Sequence, residues 1–133
     1  MITKEIPKEE YIIALNIYNE SFNKENTHLN LSLLGELIGL YLNNTLIGIA
    51  QIDYLNDIMD NKKYAIINSF CIKKEYRNNG YGNYFLKECI KYLRKKKIDC
   101  INMRSNKNRI IAHKIYEKNS FKEVNTILLK KDL

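Results

Sequence analysis

Apolar and polar residues alternate over residues 2–6, which predicts a short strand. Pro7 then suits the start of a helix, with Glu9 and Glu10 near the positive end of its dipole. Tyr11, Ala14, Leu15, Tyr18 and Phe22 recur at helical spacing, so residues 8–22 are expected to form an amphipathic helix. Residues 23–30 are polar and read as loop, and residues 31–34 as a helical turn. From Glu36 the period becomes two, with Ile38, Leu40 and Leu42 on one face. Asn43-Asn44 is a turn signal because asparagine tolerates positive φ. The strand pattern resumes over residues 46–54, giving a β-hairpin. Residues 55–63, with Asp57 and Asp60, read as a polar connection. Residues 64–72 are apolar on both faces, as in a central strand.

The second half alternates helix and strand. A helix is expected from Gly80 or Tyr81 to Lys97, burying Phe85, Leu86, Cys89, Ile90 and Leu93, with Lys95, Lys96 and Lys97 at its negative end. Residues 98–103 read as strand. Residues 108–119 read as a helix with Ile111, Ala112, Ile115 and Tyr116 inward and Asn119 as a left-handed cap. Residues 121–131 read as a closing strand. This order predicts an α/β (α+β) fold, a mixed central β-sheet flanked by helices on both faces, in one domain spanning 1–133.

Composition narrows the picture only a little. With 45% hydrophobic residues, one proline and five glycines, the 133-residue chain suits a globular core. No apolar run approaches the ~20 residues of a membrane span, and residues 1–7 lack the apolar core of a signal peptide. A cytoplasmic location without membrane contact is therefore expected. Cys71, Cys89 and Cys100 each lie in an apolar run and are expected to be buried, reduced thiols. His28 and His113 have no ligand-like neighbours, so no metal site is expected. The net charge of +7 suits an acidic ligand or nucleic acid. No aromatic–basic interleaving supports nucleic acid, however.

The placement of charge says more than its sum. The central strand ends at Ile72, and a basic turn leads through Arg77-Asn78-Asn79-Gly80-Tyr81-Gly82 into a helix. Amides at a helix start lack intrahelical partners and favour an anion. Three glycine-rich turns compete here. A Walker A loop needs a lysine and a hydroxyl that do not follow Gly80 or Gly82. A dinucleotide fingerprint needs a small residue where Phe85 stands. The pattern Arg/Gln-x-x-Gly-x-Gly/Ala fits Arg77 to Gly82 in full.

The segment F-C-I-K-K-E-Y-R-N-N-G-Y-G-N-Y-F-L resembles the acetyl-CoA motif of the GNAT superfamily of N-acetyltransferases. Further on, A-H-K-I-Y-E-K-N-S-F (residues 112–121) resembles that family's second motif, and Arg109 with Ala112 fits a subgroup reading R-x-x-A-H-x-x-Y. The element order also matches, so the resemblance covers nearly the whole chain.

The resemblance implies that the acetyl-CoA pantetheine pairs with the backbone of Phe70, Cys71 and Ile72. The pyrophosphate would rest on the backbone of Asn78, Asn79, Gly80, Tyr81, Gly82 and Asn83, with charge from Arg77. Lys73, Lys74, Arg109, Lys114 and Lys118 are candidates for the ribose phosphate. Tyr116 matches the general acid that protonates the departing CoA thiolate. Many relatives carry a glutamate base where this chain has Asn68, which would instead orient a water or the acceptor. Glu20, Glu25, Asp53, Asp57 and Asp60 are carboxylates in segments that could border the acceptor side, none of them singled out, and a water relay is favoured. Ser120 stands where the family usually has glycine, and Asn119 is expected to take over the positive φ.

The expected activity is acetyl transfer from acetyl-CoA to a primary amine by direct attack in a ternary complex, releasing CoA. The alternative is a non-catalytic CoA-binding regulatory module. The expected partner is a small-molecule or peptide amine, not nucleic acid; a homodimer is compatible with either reading.

Overall fold

The computed structural model describes residues 1–25, 29 and 35–133. Strand β1 (Ile2–Glu5) leads through a 3-10 turn at Lys8–Glu10 into helix α1 (Tyr11–Phe22). Strands β2 (Glu36–Leu42), β3 (Thr45–Asp57) and β4 (Lys62–Ile72) follow, then α2 (Tyr81–Lys95), β5 (Cys100–Met103) and α3 (Ile110–Lys118). The sheet order is β1-β2-β3-β4-β5. All neighbours are antiparallel except β4 and β5, which are parallel and joined through α2. The expected mixed sheet with helices on both faces is what the chain adopts.

The faces have separate cores. Under α1, Ala14 and Ile17 meet Ile6, Tyr41, Leu46, Ile49 and Cys71. Ile17, rather than Leu15, is the deep anchor of α1. On the other face α2 seats Phe85, Leu86, Cys89 and Leu93 against the inward side chains of β2, β3 and β4. Removing a fully buried aromatic such as Phe85 costs about 3–5 kcal/mol.

Several local expectations need correction. The β2–β3 turn is as read: Asn43 and Asn44 both have positive φ, 49° and 64°, which suits a two-residue hairpin. Residues 55–63 are not a polar connection, however. The β3–β4 ladder continues through Leu55↔Tyr64 to Asp57↔Lys62, because two adjacent strands keep pairing beyond the helix-covered core. Helix α2 stops at Lys95, and Lys97 turns back at φ 60°. Ile111 is 71% exposed rather than inward. Cys100 is only partly buried, unlike Cys71 and Cys89. The closing strand at 121–131 does not form, since its residues meet no partner ladder. The helical turn read at 31–34 lies outside the described residues, as does His28.

One irregularity positions the site. Ile49 pairs with Cys71 and Gln51 with Asn68, so Ser69 and Phe70 together oppose the single residue Ala50. Ser69 carries the extra turn of this β-bulge at φ 55°. The parallel ladder to β5 ends just before it, at Ile67↔Met103. Beyond the bulge, this edge of β4 has no partner strand among the described residues.

Candidate functional site

A cavity of about 770 Å³ lies along that open edge, between the start of α2 and the start of α3. Phe70, Cys71 and Ile72 form one wall; Arg77, Asn78, Gly80, Tyr81, Gly82 and Asn83 form the second. Arg109, Ile110, Ile111, Ala112, Ile115 and Tyr116 form the third. Most of the residues singled out in the sequence therefore converge here. Asn68 and Asn79 do not line the cavity, nor do Lys73, Lys74, Lys114 and Lys118. Lys73 pairs with Glu75 at 2.8 Å, and the Lys74 backbone amide donates to Glu20 at 2.7 Å.

The second wall is built by backbone. Asn78 and Gly80 both take positive φ, 65° and 79°, and Gly80 is the N-cap of α2. The first bond of the helix runs from the Tyr84 amide to the Gly80 carbonyl, 3.1 Å. The amides of Tyr81, Gly82 and Asn83 precede it and have no place in the helix ladder. Asn79 folds its amide back onto the Tyr76 and Arg77 carbonyls at 3.2 and 3.0 Å, shaping the turn rather than facing the cavity. A Cβ on Gly82 would lie 3.2 Å from Ile115 Cδ1, so glycine there lets α2 and α3 close together. Asn119 Nδ2 reinforces the approach, donating to Asn83 Oδ1 and to the Ile115 carbonyl, both at 2.8 Å. Asn119 acts through its side chain, with φ −99°, and Ser120 itself takes the left-handed conformation at φ 68°. This reverses the expectation for the pair.

Two arginines meet the open edge of β4. Arg77 Nε donates to the Ile72 carbonyl at 2.9 Å and Nη2 to Ser21 Oγ at 2.9 Å. Arg109 Nη2 reaches the Phe70 carbonyl at 3.4 Å, while its guanidinium lies 5.0 Å from the Phe22 ring centre. Arg77 thus braces β4 against α1, and Arg109 sits at the β4–α3 end of the cleft, not at the glycine turn.

Tyr116 is nearly buried, edge-on to Phe70 with centroids 6.2 Å apart and to Phe121 at 6.3 Å. Burial pushes its phenol pKa up, against the pull of the Arg109 charge and nearby Ser105. Ser105 Oγ is itself buried and does not reach hydrogen-bond geometry with any described partner. Its proximity to Tyr116 had no sequence signal, because it depends on where the end of β5 meets α3. Burial likewise raises the Cys71 thiol, opposed by Ser21, Arg109 and Arg77.

Asn68 faces away from this wall. Its Nδ2 donates to Asp53 Oδ2 at 3.1 Å, and Gln51 Nε2 donates to the same oxygen at 3.0 Å. Among the described residues no three His, Cys, Asp or Glu side chains are grouped to hold a metal ion, and no helix is long and apolar enough to cross a membrane.

The profile described as the Acetyltransferase (GNAT) family matches residues 3–121. Solved structures share the fold. An aminoglycoside acetyltransferase from an uncultured soil metagenomic sample aligns with TM-score 0.84 and 13% identity, over 99% of this chain and 95% of that one. A ribosomal-protein-alanine N-acetyltransferase from Brucella melitensis biovar Abortus 2308 aligns with TM-score 0.84 and 9% identity, over 99% and 100%. A transcriptional regulator from Bacillus halodurans C-125 aligns with TM-score 0.83 and 16% identity, over 99% of both chains. No curated protein sequence matches this chain.

Proposed function

This chain belongs to the GNAT family of acetyltransferases, and on that premise we propose that it moves an acetyl group from acetyl-CoA to a primary amine by direct attack in a ternary complex. The whole chain, 1–133, acts as one catalytic domain in this reading. The observation that carries it is the meeting of the open β4 edge, the unladdered amides of α2 and the Tyr116 phenol around one cavity.

The walls fit acetyl-CoA. The cavity volume is in the range of small-molecule sites. Beyond Ile67 no strand pairs with this edge of β4 among the described residues, which leaves room for an amide-bearing arm; to bond the Phe70 and Ile72 carbonyls it would share or displace Arg109 and Arg77. The amides at 81–83 suit a pyrophosphate, and Gly80 and Gly82 keep side chains out of its way. When bound, acetyl-CoA supplies an activated thioester. The chain's own task is then to hold a proton at Tyr116 Oη for the leaving thiolate, beside the partly buried Ile115. The raised Cys71 pKa keeps that thiol neutral, which favours direct attack over an acyl-cysteine route.

A second reading, a CoA-binding module without turnover, draws on Asn68. Its amide is spent on Asp53, and no carboxylate occupies its own position. Thermal shift with acetyl-CoA tests the shared premise: ligand at 100 times its Kd adds about 2.7 kcal/mol of stability, and no shift at saturation would sink both readings. Free-thiol release across a panel of amines, aminoglycosides and N-terminal peptides included, then separates them. Binding without release from any acceptor would favour the module.

A further inference from the structure

The two arginines at the β4 edge differ in how far their donors are used. Arg77 makes two side-chain bonds of 2.9 Å, to the Ile72 carbonyl and to Ser21 Oγ. Among the described residues Arg109 makes one, to the Phe70 carbonyl, and at 3.4 Å it is longer than a good N–H···O bond. A guanidinium carries several N–H donors and stays charged. No carboxylate among the described residues comes within ion-pair distance of Arg109. The charge is nevertheless half-buried, 5.0 Å from the centre of the Phe22 ring of α1, and it lines the cavity. A charge withdrawn from water without a counter-ion is costly.

Arg109 stands where acyl transfer would take place. Its guanidinium and the Tyr116 ring both meet Phe70, whereas the unladdered amides of α2 lie on another wall, with Arg77. Burial raises the pKa of the Tyr116 phenol and of the Cys71 thiol, and the Arg109 charge pulls against it at both. Helix α3 starts at this residue, so the positive end of its dipole adds to the field. An amide-bearing arm laid along β4 would share or take the Phe70 carbonyl, the one side-chain hydrogen-bond acceptor Arg109 has among the described residues. A filled cleft therefore calls for an anion here more than an empty one does, and an acetyl methyl supplies none. A carboxylate matches the planar fork of a guanidinium with paired, charge-assisted bonds.

We propose that Arg109 seats a substrate carboxylate beside Tyr116, carried either on the tail of the acyl group or on the acceptor amine. A dicarboxylic acyl thioester is the first source and an amino acid the second, and both present the same group to the same fork. A CoA phosphate is the poorer occupant, because the amides suited to it lie on the wall of the glycine turn. The assignment rests on the acyl-transfer reading above and specifies what the substrates of that reaction carry.

Calorimetry on the full chain tests this in two arms. The donor arm compares succinyl-CoA with butyryl-CoA, and the acceptor arm titrates amino acids and their amides into protein saturated with CoA. In one arm the carboxylate member should bind roughly 10- to 100-fold more tightly, the worth of a hydrogen bond to a charged group, and that arm identifies the source. Arg109→Met should close the gap, and Arg109→Lys, which keeps the charge and loses the fork, should narrow it. No gap in either arm overturns the proposal, as does a gap that survives Arg109→Met. An equal loss of affinity for every CoA derivative in Arg109→Met also overturns it, because Arg109 would then hold a part common to them all. Should Arg109→Met fail to fold, Arg109→Lys decides: a narrowed gap upholds the proposal and an unchanged one overturns it. A thermal shift with acetyl-CoA separates the two levels. Its absence sinks the acyl-transfer reading and this assignment together, whereas a normal shift without a gap sinks the assignment alone.

Discussion

Asn68 on β4 donates its side-chain amide to the Asp53 carboxylate on β3 at 3.1 Å. Gln51 donates to the same oxygen at 3.0 Å, so Asp53 is held from two sides. All three groups share the α1-side face of the sheet, just before the bulge that opens β4. The carboxylate absent from β4 is thus found one strand away, and Asn68 orients it. These groups stand outside the cavity lining, so under the proposed acetyl transfer we propose Asp53, reached through water, as one path for the acceptor's proton.

Asp53→Asn should therefore lower kcat by about 10²–10⁴ with any amine that serves as acceptor, while the thermal shift with acetyl-CoA stays intact. Asn68→Asp in that background should restore part of the loss by returning a carboxylate to β4. Full activity in Asp53→Asn would remove the residue from the proton path. Asp53→Ala should also cost about 1–3 kcal/mol of stability, because it strands two part-buried amide donors.

Tyr116→Phe should reduce kcat by a similar factor, about 10²–10⁴, without weakening acetyl-CoA binding. The sign of the pH dependence follows from burial. A raised pKa keeps the phenol protonated further into the alkaline range than a free tyrosine. The alkaline limb of the kcat–pH profile should then lie above the ordinary tyrosine value, and a limb below it would argue against Tyr116 as the acid.

The two glycines should respond differently to alanine. Gly80→Ala has open space but a left-handed backbone at φ 79°, costing roughly 1–2 kcal/mol. Gly82→Ala puts a methyl 3.2 Å from Ile115 Cδ1. It should chiefly disturb the α2–α3 approach and weaken acetyl-CoA binding in calorimetry. Equal affinity in Gly82→Ala and the unaltered protein would mean the cleft does not depend on that approach.

Far from the cleft, Glu36 pins the end of α2 to the sheet. Its carboxylate accepts from the Tyr54 and Tyr92 hydroxyls and from Lys96 Nζ, the last at 2.9 Å. Burial alone would raise the Glu36 pKa, but these hydrogen bonds outweigh it and hold the carboxyl below the usual glutamate value. The ionised form is the stabilised one. Its contribution is therefore full above the unfolded-state pKa and is lost as pH falls through the depressed folded value. Glu36→Gln should lower the melting temperature at neutral pH, with a cost of about 1–2 kcal/mol. The difference between the two proteins should shrink in acid, and a pH-independent difference would place the effect in packing instead.

The sequence by itself settled what depends on neighbours along the chain. Periodicity located the five strands and three helices that form, together with a sixth strand at 121–131 that does not, and the Asn43-Asn44 turn needed only the φ tolerance of asparagine. The Arg77–Gly82 turn and the Tyr116 motif were legible because a helix start and a helix face are local objects. What required the tertiary structure was every relation set by register between strands or by the meeting of distant elements. The partner of Asn68 is invisible in the sequence, and the β3–β4 register sets it opposite Gln51 and beside Asp53. Nothing in the sequence shows that Arg109, at the start of α3, reaches the Phe70 carbonyl on β4. Residues 121–131 have the composition of a strand, yet a strand exists only where another lends its hydrogen bonds. Composition states the propensity, and only the three-dimensional arrangement supplies or withholds the partner.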